Sequence, residues 1–85
     1  MDQEMQQYFD EMYEMFGTKG WKSLVTEAQE AIEQRKEQLV MAKSLDEMRY
    51  IQGEIAQLRN IESLETVVAL RERGLKAEEG IETVE

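Results

Sequence analysis

The chain has 85 residues, of which 19 are acidic and 10 are basic, so its formal net charge is −9 at pH 7. This charge argues against direct nucleic-acid binding, because neutralising phosphates requires a basic surface. Histidine and cysteine are both absent, which removes imidazole bases, thiol nucleophiles and most transition-metal sites. We therefore expect a protein that is not an enzyme and that uses no cofactor or metal ion.

Proline is also absent, and strong helix-forming residues dominate the composition, as is typical of long helices. The sequence therefore predicts an all-α fold, with one helical domain over residues 1–75. The first residues are acidic where a secretory signal would carry lysine, and no apolar run approaches the length of a membrane span. We expect a soluble intracellular protein that does not bind membranes.

Residues 2–16 predict a short amphipathic helix with an acidic face opposite an apolar one. The apolar face has two possible roles: packing onto the rest of the chain, or docking into a groove of another protein. The second role is suggested by methionine and aromatic side chains, which adapt well to a partner. In that case the predicted partner-binding residues are Tyr8, Phe9, Met12, Met15, Phe16 and Trp21.

Gly17-Thr18-Lys19-Gly20 predicts a turn, with Thr18 as the N-cap of a second helix over about residues 19–42. This helix carries a heptad seam at Trp21, Val25, Ala28, Ile32, Arg35, Leu39 and Ala42. Arg35 interrupts the seam with a charge. It either pairs with a nearby acid such as Glu54 or specifies the register or the partner of the helix.

Lys43 and Ser44 form a very short connection to one long third helix over about residues 45–73. Ser44 is the predicted N-cap, with Glu47 at the capping-box spacing. Gly74 is the predicted left-handed residue that ends the helix, with Leu75 packing back on Leu70. A short link between two long helices predicts an antiparallel, coiled-coil-like helical hairpin.

The third helix is longer than the second, so its end outruns the contact between the two. Either the first helix or another subunit must cover that end, and we expect a homo-oligomer. Residues 76–85 predict an acidic, flexible tail. With it, both ends of the chain are acidic, because residues 1–16 carry five acids and no base. Such ends aid solubility, and they can also avoid or imitate nucleic acid.

Two segments carry a resemblance to a known family: the Gly-x-x-Gly-Trp-Lys turn at residues 17–22, and Leu45-Asp46-Glu47 followed by Tyr-Ile-Gln-Gly-Glu-Ile-Ala-Gln-Leu at residues 50–58. Over roughly residues 10 to 70 the chain resembles the short helical-hairpin proteins encoded among the structural genes of tailed bacteriophages. The resemblance implies virion or head assembly, in the host cytoplasm or in the virion. It implies no catalytic or binding residue.

Two functional hypotheses follow. The first is a structural or assembly protein, in which the helical hairpin oligomerises or attaches to a larger phage protein through its apolar faces. The second is a small inhibitor or adaptor that binds a host protein, with the acidic ends imitating nucleic-acid phosphates. A mimic is expected to carry a spaced double row of acids on one rigid face, whereas these acids concentrate at the ends, which favours the first hypothesis.

Overall fold

The computed structural model describes residues 1–84, and side chains are described as far as Gly80. Within this range the chain is entirely helical and contains no strand, which confirms the all-α prediction. The helices are α1 (Gln3–Phe16), α2 (Lys19–Met41), α3 (Leu45–Glu62) and α4 (Leu64–Val84).

The predicted caps of α2 and α3 are present. The Thr18 hydroxyl accepts a hydrogen bond from the Trp21 N–H at 3.1 Å, and the Ser44 hydroxyl accepts one from the Glu47 N–H at 3.1 Å. Each satisfies one of the backbone donors that a helix start leaves unpaired. The Glu47 carboxylate accepts from the N–H of Lys43 at 3.2 Å, one residue before the position that a capping box uses.

The predicted single helix over residues 44–75 is instead two helices, which meet at Ser63. Ser63 has a right-handed helical backbone (φ −92°, ψ 0°), and its N–H donates to the Arg59 carbonyl at 2.9 Å. The break lies where the apolar spacing tightens to steps of three, at Leu58, Ile61 and Leu64. Beyond the break, the apolar face packs against α1 and the start of α2.

The end of α4 also differs from the prediction. Gly74 does not end a helix in a left-handed conformation, because α4 continues through it and no glycine among the described residues has a positive φ. Residues 76–84, predicted as a tail, are the last part of α4, and residue 85 lies outside the described residues. Leu75 packs on the core formed with α1, whereas Leu70 is exposed.

The physical reason for this difference is tertiary packing. The predicted stop at Gly74 rests on a helix propensity of about 1 kcal/mol against alanine. Packing of α1 along α4 supplies contacts that outweigh it, since Tyr13 donates a hydrogen bond to Glu72 and the Met1 ammonium group pairs with Glu79.

The helices enclose two small cores instead of one. The first core joins α1, the start of α2 and α4, with buried Phe9, Phe16, Trp21 and Val68. The second core lies between α2 and α3, with buried Ile32, Ile51 and Ile55. Partly buried apolar side chains extend each cluster: Met1, Met5, Met12, Val25, Ile61, Leu64 and Leu75 around the first, and Leu39, Ala42 and Leu58 around the second.

The molecule is elongated, with a radius of gyration of 18.0 Å and extents of 58 × 32 × 15 Å. A compact domain of this length has a radius of gyration of about 12 Å. The accessible surface is 6739 Å², whereas a folded monomer of this mass exposes about 5,200 Å². The chain therefore leaves considerably more surface open to contact than a compact domain of its size.

Candidate protein-interaction surfaces

The six residues predicted to bind a partner divide into two groups. Phe9, Phe16 and Trp21 are buried in the first core, and Met12 packs against it. In this conformation these four side chains pack within their own chain. Tyr8 and Met15 are the members that remain exposed.

Two hydrogen bonds to carboxylates of α4 accompany the packing of the first core. The Tyr13 hydroxyl donates to the Glu72 carboxylate at 2.9 Å, and the Trp21 Nε1–H donates to Glu65 at 2.6 Å. The hydrogen bond to Glu72 and the negative charge of that carboxylate raise the pKa of the Tyr13 phenol above its ordinary value. Of the two roles that the sequence left open for α1, the structure therefore shows packing on the rest of the chain.

Arg35 has its partner within the chain. Its Nε–H donates to the Glu54 carboxylate at 3.2 Å, across the contact between α2 and α3. Both side chains are partly exposed, and a pair this accessible contributes about 0–1 kcal/mol to stability. The pairing alternative is the one that the structure shows.

An apolar patch surrounds the connection between α2 and α3; we call it the tip, and it consists of Val40, Met41 and Leu45. Val40 is 84% exposed and Met41 is 76% exposed, while Leu45 is also largely open to solvent. The tip lies at the opposite end of α2 from Trp21, about 30 Å away at the rise of a helix. It therefore presents apolar side chains far from the core that holds α1.

A second apolar surface runs along α4; we call it the α4 stripe, and it consists of Val67, Leu70, Gly74 and Ala77. All four residues are exposed, including Val67 at 54% and Leu70 at 55%. Their steps of three, four and three place them on one helical face. The stripe is therefore a continuous apolar line that nothing in the described chain covers.

The α4 stripe and the contact with α1 lie on different sides of the same helix. Val68, Glu72 and Leu75 face α1 or its core. At 3.6 residues per turn, the centre of this set lies roughly 150° around the helix from the centre of the stripe. Helix α4 consequently has two apolar faces, one used inside the chain and one open.

Acidic residues form a third surface feature. The five acids of the first segment are all exposed: Asp2, Glu4, Asp10, Glu11 and Glu14. Because α1 packs on α4, this acidic face lies beside a helix that carries basic as well as acidic side chains, among them Arg71, whose guanidinium group lies 5.7 Å from the centre of the Tyr8 ring. The first residue of the chain and Glu79 of α4 are also neighbours, because the Met1 ammonium group pairs with the Glu79 carboxylate.

Sequence reasoning missed the tip and the α4 stripe. Val40 and Met41 are adjacent apolar residues outside the heptad seam of α2, and this departure from the pattern was the available signal. The stripe was missed because residues 45–73 were interpreted as one helix with a single apolar face, and that face does not include the stripe residues.

The described residues contain no group of three or more carboxylates placed to hold a metal ion. None of the described helices is both long enough and apolar enough to cross a membrane. No family model, no curated protein and no solved structure matches this chain. Function is therefore inferred from the surfaces themselves.

Proposed function

We propose that this chain is a non-enzymatic structural or assembly protein that acts through helix–helix contacts, including contacts with copies of itself. The observation that carries the proposal is the open surface. The chain exposes roughly 1,500 Å² more than a compact monomer of its mass, and a standard protein interface takes about 800 Å² from each partner. The excess is therefore large enough for one or two interfaces.

The proposed architecture is a coiled-coil-like antiparallel hairpin of α2 and α3, with α1 returning onto α4. The short connection between Met41 and Leu45 supports the hairpin, as does the second core. The ion pair between Arg35 and Glu54 supports the same pairing, because it joins α2 to α3. Such a hairpin is a stiff rod, which suits a spacer or clamp between larger protein surfaces.

The proposed setting is the virion or the head-assembly pathway of a tailed bacteriophage, with a phage structural protein as a further partner. The support is the resemblance carried by the turn at residues 17–22 and by residues 45–58. Both segments have structural roles here. The Trp21 ring packs in the first core with its centre 5.1 Å from the centre of the Phe16 ring, and Ile51 lies in the second core. The protein would then act in the host cytoplasm or within the particle.

A second candidate is a small acidic adaptor or inhibitor that binds a basic protein surface in place of nucleic acid. The observation that favours it is the exposed acidic face of α1, which carries no lysine or arginine. Against it, Arg71, Arg73 and Lys76 on the neighbouring α4 interrupt the negative surface. We therefore rank it below assembly.

Sedimentation equilibrium of the full chain at low and high salt tests the first candidate. We expect a complex whose mass is a multiple of 10.0 kDa and whose association constant changes little with salt, because apolar contacts are not screened. A monomer at every concentration and salt would refute self-assembly. Association that weakens steeply with salt would instead favour contacts between charged surfaces.

A further inference from the structure

We propose that α4 pairs with the α4 of a second copy, in parallel, along the α4 stripe. This inference rests on the proposed function and identifies the surface and the geometry through which the chain assembles with itself. The stripe has the spacing of a coiled-coil seam, with Val67 and Gly74 at one repeating position and Leu70 and Ala77 at the other. In the sequence the same spacing continues to residues 81 and 84.

The stripe is free to receive a second helix. Helix α1 lies on the other side of α4, and the α4 stripe residues are exposed along their length. A Cβ built on Gly74 meets no atom of the chain within 4 Å. Packing inside the chain therefore does not explain this glycine, and the same is true of Gly53; what distinguishes Gly74 is its place in the apolar stripe, where the absent side chain leaves room for a second backbone.

The charges beside the stripe select a second copy as the occupant. Arg73 directly precedes Gly74, and Glu78 directly follows Ala77; both are exposed, and neither forms an ion pair within the described part of the chain. In a parallel two-stranded coil, the residue at the Arg73 position faces the residue five places further on in the partner helix. Arg73 of each copy then faces Glu78 of the other.

The two-fold symmetry of such a dimer forms this ion pair twice. An antiparallel arrangement that sets Leu70 against Gly74 of the second copy would instead bring the two Arg73 side chains together. The flanking charges thus favour the parallel arrangement. The charges of one copy complement those of an identical copy. A foreign helix has no such relation to the stripe.

The first experiment compares the association constants of the full-length chain and the Leu70→Glu variant by sedimentation. We expect Leu70→Glu to weaken the dimer by more than about tenfold, because it places unpaired carboxylates in an apolar seam. Leu70 lies outside both cores, so the helical circular dichroism should be unchanged. Val40→Glu at the tip is the matched control and should leave this dimer intact.

The second experiment tests the parallel geometry, using the fact that the chain has no cysteine. In a parallel dimer, residue 77 faces residue 77 of the second copy, so Ala77→Cys should form a disulfide-linked dimer on mild oxidation. In addition, Arg73→Glu and Glu78→Arg should each weaken self-association, and a mixture of the two variants should form a heterodimer. The double variant should recover association.

The outcomes separate this inference from the proposed function. A chain that assembles but is indifferent to Leu70→Glu would overturn pairing through α4 and leave assembly through another surface standing. Loss of association in Leu70→Glu without cross-linking of Ala77→Cys would overturn the parallel geometry. A wild-type chain that is monomeric at all concentrations would overturn both proposals.

Discussion

Gly53 offers a direct test of how the exposed helical surface is used. It lies inside α3, it is exposed, and a Cβ built on it meets no atom within 4 Å. A glycine inside a helix commonly indicates that a bulky side chain or a second backbone approaches it closely. The described chain contains no such group near it, so replacement by alanine meets no steric obstacle.

We expect Gly53→Ala to raise the free energy of unfolding by about 1 kcal/mol, because alanine loses less conformational entropy in a helix than glycine does. For a domain of this size the melting temperature should rise by about 4–8 °C. Thermal unfolding followed by circular dichroism measures the change, at one fixed protein concentration because assembly also shifts the midpoint. Ala56→Gly, at an exposed position in the same helix, is the matched control and should shift the midpoint in the opposite direction by a similar amount.

The informative failure is a Gly53→Ala variant that is less stable or associates less, while Ala56→Gly behaves as expected. That result would show that another copy of the chain closely approaches Gly53. It would refute the reasoning that the α3 surface here faces only solvent. It would also restore the original interpretation of this glycine, but between chains.

Three further predictions concern the first core, the N-cap of α3 and the hydrogen bond between α1 and α4. Phe9→Ala should lower the free energy of unfolding by about 3–5 kcal/mol, measured by urea denaturation, because Phe9 is fully buried in the first core. Ser44→Ala should cost about 1 kcal/mol in the same assay, since it removes the acceptor for the Glu47 N–H. Glu72→Gln should lower the pKa of Tyr13 toward its ordinary value, measured by absorbance titration of the phenolate in a Tyr8→Phe, Tyr50→Phe background that leaves Tyr13 as the one tyrosine.

A specific result would contradict each of these predictions. A loss below about 1 kcal/mol for Phe9→Ala would mean that α1 is not packed on α4 in solution. Unchanged stability in Ser44→Ala would mean that water or another group satisfies the start of α3. An unchanged Tyr13 titration in Glu72→Gln would mean that the hydrogen bond between α1 and α4 does not form.

The raised pKa of Tyr13 also predicts how the free energy of unfolding depends on pH. The native state holds the Tyr13 proton more tightly than the unfolded state does, because the pKa of this phenol is raised. The contribution of the hydrogen bond is therefore complete below about pH 10, the ordinary pKa of tyrosine, and declines as the pH rises through the higher native value. In Glu72→Gln the part of this decline that is due to Tyr13 should be smaller, because the native and unfolded pKa values of the phenol then lie closer together.

The features that the sequence predicted correctly are local ones. Thr18 and Ser44 cap helices because a short polar side chain reaches the backbone N–H three residues ahead, whatever the rest of the fold does. The end of the last helix was predicted from the same kind of local rule, applied to Gly74, and there it failed. Packing against α1 decides whether the chain stays helical at that position, and packing between distant segments leaves no signal in a local pattern.

The role of α1 is a second feature that a local sequence pattern could not predict. A face that carries Phe9, Met12 and Phe16 is suited equally to a core and to a partner's groove, so its composition cannot distinguish the two. The choice depends on Val68 and Leu75, which offer a matching apolar face on α4. The sequence predicted that either the first helix or another subunit covers this end of the chain, and the packing of α1 on α4 decides between the two.

Treating residues 45–73 as one helix with a single apolar face also left the second apolar face of α4 unnoticed. Val68 and Leu75 belong to the face against α1, whereas Val67 and Leu70 belong to the open stripe. A helix with one apolar face completes a core, but a helix with two such faces on different sides joins two bodies. No part of the described chain covers the second face of α4, and an uncovered apolar face of this kind is the physical reason to test assembly first.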